Sequence, residues 1–208
     1  MNRSPFSGRG EASLALLEAE AATQFATEQR FPAWLSHGLI VRGWAEAELG
    51  KADLGLAHIE QACSTYSDTG ASVWEPLFLL LKTQALARRG QVPEALATAS
   101  RALELSHGIG PYWWEAEICR VQGELMLADS ADQAESAQAC FAQALAVARR
   151  QSAKSLELRA AMSQARLARQ RGRPGQTVVE LESAYEWFSE GLDSADLMQA
   201  RELLNELR

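Results

Sequence analysis

The sequence predicts an all-α fold: a right-handed α–α superhelix of about four helix pairs, with an orphan helix at the N-terminal end and a capping helix at the C-terminal end. Three observations predict it. Ala, Leu, Glu, Gln and Arg, all good helix formers, dominate the composition. Val and Ile are scarce, and no stretch alternates apolar and polar residues as a strand does. Three residue series also recur at one spacing, the mark of a stacked repeat. Gly10, Gly50 and Gly90 are 40 residues apart, as are Trp34, Trp74 and Trp114, and Ala22, Ala62 and Ala102. A single two-residue slip near 129–132 then carries the series to Ala144, Leu156 and Gly172, and Ala184 resumes the period.

Each period reads as two helices. The first carries the Trp and stops at the Gly, which tolerates the left-handed backbone that ends a helix. The second follows a short turn. The expected helices are 11–29, 32–49, 52–67, 72–89, 93–106, 112–128, 132–150, 154–171, 174–190 and 194–207. Pro93 and Pro174 fall at helix starts, where a missing N–H costs nothing. Residues 1–10 are polar and rich in Gly, Ser and Pro, so a flexible start is expected, and its lack of an apolar core argues against a signal peptide. Residues 11–208 then form one solenoid domain. The helix at 11–29 is the second member of a pair whose first member is missing. The helix at 194–207 carries Leu197, Met198, Leu203, Leu204 and Leu207 on one face, as a cap with a solvated outer side requires.

Small residues mark the expected helix crossings: Gly43, Thr83, Gly123 and Ala165 in the first helices, and Ala15, Gly55, Ala95, Ala137 and Thr177 in the second. Ala19, Ile59, Ala99, Phe141 and Leu181 follow four residues later. This small–small–large order resembles the tetratricopeptide repeat, although the period of 40 exceeds the usual ~34 residues, which implies longer helices.

Three stretches go further: Tyr112–Leu127 (YWWEAEICRVQGELML), Glu135–Arg171 and Tyr185–Leu204 (YEWFSEGLDSADLMQARELL). They resemble the C-terminal tetratricopeptide-like tail of bacterial multidomain signalling ATPases. In that family a class III adenylate or guanylate cyclase, or a DNA-binding domain, precedes an ATPase and the helical tail. The resemblance covers about residues 31–208 and implies a tail that senses or relays a signal. Neither cyclase nor ATPase is present. The Gly50–Lys51 pair is followed by Ala52 at a helix end, whereas a phosphate loop needs a preceding strand and Ser or Thr after the Lys. No catalytic residue carries over.

Composition narrows the function. A net charge of −7 opposes nucleic-acid binding, and no run of about 18 apolar residues suggests a membrane span. Cys63, Cys119 and Cys140 are odd in number and far apart, which fits a reduced, cytoplasmic protein with buried thiols. His37, His58 and His107 make no ligand-spaced set with them, so neither metal nor cofactor is expected. Carboxylate pairs such as Glu115 and Glu117 lie two apart on different helix faces and read as solvated charges. The chain is therefore expected to be no enzyme but a protein–protein interaction or scaffolding module with a concave, peptide-binding groove. A sensor holding a small metabolite in the superhelix is the alternative.

The concave face comes from the first helix of each pair. The partner-binding residues expected there are His37, Trp44 and Glu48; Gln84 and Arg88; Glu117, Arg120 and Glu124; and Arg159, Arg166 and Arg169. Residues 149–175 hold eight Lys or Arg against Glu157 alone, which suits an acidic peptide partner or a solvated basic face. Trp34, Trp74 and Trp114 are expected to pack between repeats. The apolar helix at 11–29, with Leu14, Leu17 and Phe25, is expected to be covered by an upstream domain or by a second copy in a homodimer.

Overall fold

A computed structural model of the chain describes residues 9–108, 113–173 and 175–207, and all regular structure among them is helical. The helices group into two compact units, Met1–Pro111 and Tyr112–Arg208. The expected flexible start falls largely outside the described residues, but helix already runs from Arg9. Pro174 also lies outside them.

The first unit holds α1 (Arg9–Glu28), α2 (Pro32–Glu48), α3 (Ala52–Ser67), α4 (Glu75–Arg89) and α5 (Val92–Gly108). Pro32 opens α2, where its fixed φ suits the first turn. Just beyond α2 and α4, Gly50 and Gly90 take left-handed φ values of 89° and 84°. The next amides reach back to the helix, Lys51 N–H to Glu46 C=O at 2.8 Å and Gln91 N–H to Leu86 C=O at 3.0 Å. These bonds satisfy carbonyls that a helix end leaves open, and they turn the chain back on itself. α2 and α3 then cross at Gly43 and Gly55. A Cβ on Gly43 would lie 2.4 Å from the Gly55 carbonyl oxygen, and one on Gly55 would lie 2.3 Å from that of Gly43. Thr83 and Ala95 take these places in α4 and α5 and are fully buried.

α1 departs from the repeat. In the Ala series, Ala62 and Ala102 are buried, but Ala22 is exposed. α1 instead buries Ala12, Ala19 and Ala26, seven residues apart on one stripe. The reason is that no described helix covers the face that α3 and α5 turn towards α2 and α4.

The second unit holds α6 (Glu115–Asp129), α7 (Ala134–Arg150), α8 (Lys154–Gln170), α9 (Gly175–Glu186) and α10 (Ala195–Leu207). The slip in the repeat is a short 3-10 turn at Ala131–Gln133, begun by Ser130, whose Oγ accepts from the Asp132 amide. Gly123 admits Phe141 to the α6–α7 crossing, since a Cβ there would stand 2.6 Å from the ring. α10 packs on α8 and α9 and buries Leu197, Ala200, Leu203 and Leu204, while Met198 is exposed.

Candidate functional site

An apolar groove of about 540 Å³ runs between α1 and α2. The two helices come together at Gly38, where a Cβ would fall 2.6 Å from Thr23 Oγ1. The walls include Ala15, Ala19 and Ala22 from α1, and Trp34, Gly38 and Val41 from α2. Phe25, Phe31 and Trp34 stand at 60%, 48% and 69% exposure along it. Among the described residues, Glu18 is the one carboxylate on the wall. This is a contiguous apolar surface, of the kind that marks an interaction site.

Of the three tryptophans expected to pack between repeats, Trp74 and Trp114 cap α4 and α6 and are half-buried. Trp34 differs because α2 begins at Pro32, which places it inside the first turn and in solvent. His37 faces inward. Its ring stands edge-on to Tyr66, Trp74 and Phe78, with centroids 5.8, 5.6 and 5.3 Å away. The Trp74 amide donates to the Tyr66 hydroxyl at 3.2 Å. This cluster seats α2 on α3 and α4.

The residues expected on the concave face are paired largely with one another. In the first unit Arg88 Nε donates to Glu48 Oε1 at 2.8 Å, 40 residues apart, while Trp44 and Gln84 are half-buried. In the second unit Arg120 lies 5% exposed between two carboxylates. Its Nε and Nη2 reach Glu117 at 2.8 and 2.7 Å, and Nη1 reaches Glu124 at 2.5 Å. Ser163 Oγ donates to Glu124 Oε1 at 2.9 Å, which leaves Oε2 buried without a partner. Arg159 lies 3.5 Å from Glu117 and donates to Asp196 at 2.6 Å. Arg166 donates to Gln199 at 3.2 Å, and Arg169 pairs with Glu206. The charges predicted for a partner thus join α6 to α8 and α8 to α10.

Burial alone would push the Glu117 carboxyl up, but the Arg120 and Arg159 guanidiniums hold it below the usual carboxylate range. At Glu124 burial wins over Arg120, and the carboxyl is pushed up. Glu115 and Glu117, read from sequence as solvated, are 6% and 5% exposed, a correction that goes with their cationic partners: Arg150 stands 3.6 Å from Glu115, and Arg120 bonds Glu117. Spacing carried the missed signal: Glu117, Arg120 and Glu124 stand at i, i+3 and i+7 on one helix face.

No family model matches the chain. No curated protein matches it either.

The remaining candidates stay dispersed. Among the described residues no group of three or more His, Cys, Asp and Glu side chains is placed to hold a metal ion. Cys119 is buried and its thiol is pushed up to about 12, chiefly by desolvation. The basic segment is spread over acidic partners: Arg149 and Lys154 bond Glu157 at 2.9 and 2.8 Å, and Arg171 pairs with Glu135. Trp187, between α9 and α10, is 59% exposed, and Lys154 Nζ stands 5.9 Å from its ring centre.

Proposed function

We propose that the helix pairs are tetratricopeptide-like repeats and that the chain is a non-catalytic protein-interaction module, in keeping with its resemblance to the tails of bacterial signalling ATPases. The observation that carries this reading is the uncovered apolar groove between α1 and α2, edged by Phe25, Phe31 and Trp34. The charged face supports docking less well, because Arg88, Arg120 and Arg159 already hold carboxylates of the chain itself. Docking therefore rests on apolar burial, with aromatic anchors of the sort that dominate interface energetics. No helix among the described residues is long and apolar enough to cross a membrane. The widely spaced Cys63, Cys119 and Cys140 favour a reducing compartment, and the module is proposed to act in the cytoplasm.

A small-ligand sensor is the second reading, since about 540 Å³ also falls within the range of metabolite pockets. Calorimetric titration with amphipathic helical peptides tests the two. Binding with a negative heat-capacity change, abolished by Phe25→Glu with Trp34→Glu, is the expected result. Thermal stabilisation by a metabolite, with no response to any peptide, would replace the interaction reading with the sensor.

A further inference from the structure

The groove between α1 and α2 has the geometry of a seat that other helices fill elsewhere in the same unit. Shifting its residues by one period of 40 turns Ala15, Ala19 and Ala22 into Gly55, Ile59 and Ala62, all buried in α3. It turns Trp34 and Gly38 into Trp74 and Phe78, which receive His37 of α2. The helix lying across α3 and α4 is α2, and it crosses α3 at the Gly43–Gly55 contact. The α1–α2 groove is therefore the place of a first helix, and its walls state what that helix must carry. Ala15 at the crossing calls for a small residue opposite. Trp34 stands where Trp74 meets the ring of His37 one period later, so the place of His37 calls for an apolar side chain against the exposed Trp34 ring.

Charge selects further. The place of Glu18 is taken in α3 by His58, whose Nδ1 meets Glu46 of α2 at 2.6 Å. The residue opposite Glu18 must accordingly be a cation. Between Glu11 and Glu28, α1 carries Glu11, Glu18, Glu20 and Glu28 and no Lys or Arg. Two copies of α1 laid together would set carboxylates against carboxylates, which disfavours a second copy as the occupant.

We infer that the groove between α1 and α2 receives a basic amphipathic helix of a partner protein, seated as the missing first helix, with a small residue over Ala15, an apolar side chain against Trp34, and a Lys or Arg paired with Glu18. This inference rests on the interaction reading above and adds the partner's chemistry. The helix runs antiparallel to α1, as a first helix does to the second of its pair.

The probe is a fluorescein-labelled peptide of residues 32–49 of this chain, carrying His37→Leu to meet the Trp34 ring and Glu46→Arg to meet Glu18. Fluorescence anisotropy against the full chain should show saturable binding. The same peptide with Glu retained at position 46 should bind about ten-fold more weakly, one charge pair at a partly desolvated interface. The Glu18→Lys chain should reverse that order, with its helical circular dichroism unchanged because Glu18 is exposed. A Leu at the Gly43 position of the peptide should abolish binding. Equal affinity for the Arg and Glu peptides would overturn the charge assignment while leaving an interaction module standing. Binding unaffected by the Leu substitution would overturn the seat. If neither peptide binds and light scattering shows a dimer dissociated by Phe25→Glu, the occupant is a second copy. If neither binds to a monomer that a metabolite stabilises, the interaction reading itself fails.

Discussion

At the scale of single residues, Arg120 decides most. Two carboxylates, Glu117 and Glu124, share its guanidinium in a largely buried site. Arg120→Met should cost about 3–5 kcal/mol in urea unfolding, because the charges left behind stay buried without a counter-ion. Replacing all three by apolar or amide residues of similar volume should cost far less, since the pair's attraction only offsets its own desolvation. The same carboxylates set opposite pH trends. Glu117, held low in the folded chain, contributes stability above the ordinary carboxylate value and loses it as pH falls through the lowered one. Glu124, held high, keeps its proton in the folded state beyond the point where the unfolded chain releases it. Its contribution is complete at low pH and is lost as pH rises through the raised value. Glu124→Gln should therefore flatten the decline in stability above the ordinary carboxylate range and leave the acid limb from Glu117 in place. Denaturant midpoints measured across pH would show it, and an unchanged slope would mean that Glu124 titrates normally.

At the scale of elements, helix ends separate what pattern could foretell from what it could not. Gly50 and Gly90 were legible as stops because only glycine takes the left-handed turn without strain. Two further turns of the same kind were not, because Arg30 and Ser152 occupy them, at φ 56° and 55°. The closing bonds are nevertheless formed, Phe31 N–H to Ala26 C=O and Ala153 N–H to Ala148 C=O, both at 2.9 Å. The neighbouring helices enforce the turn that the residue resists. Ser152→Gly should consequently raise stability by about 0.5–1 kcal/mol, read as a higher denaturant midpoint with unchanged slope, and a loss would show that the serine side chain matters more than its backbone. α10 shows the complementary failure. Its leucines named it as a helix packed on one face. The ties through Asp196, Gln199 and Glu206 to the arginines of α8 were hidden, since each joins residues more than 30 positions apart. Leu204→Ala should cost about 2–5 kcal/mol and speed amide exchange in α8 and α9 as well as in α10.

At the scale of the whole molecule, periodicity conveyed the number and order of helices, because a 40-residue repeat of small residues and glycines leaves few other ways to pack. It conveyed the site less well. The concave-face count assumed that charges in equivalent positions remain available to a partner, whereas neighbouring helices satisfied several of them first. The apolar groove was foreshadowed by Phe25 in a helix that lacks the first member of its pair, but its walls depend on Gly38 and on Trp34 lying inside α2. The molecule as a whole also bears on chemistry. Lys51 sits exposed between α2 and α3, after a glycine that ends a helix. A phosphate site needs successive amides aimed at one point from a strand-to-helix loop, and no strand occurs among the described residues. The nearest amides at this turn are already committed, Gly50 N–H to Ala47 and Lys51 N–H to Glu46. The purified chain should therefore neither hydrolyse MgATP nor form a cyclic nucleotide, and Lys51→Ala should leave its melting temperature unaltered with or without nucleotide. Phosphate release that follows the protein through successive columns and disappears in Lys51→Ala would place a nucleotide site at this turn and refute the non-catalytic assignment.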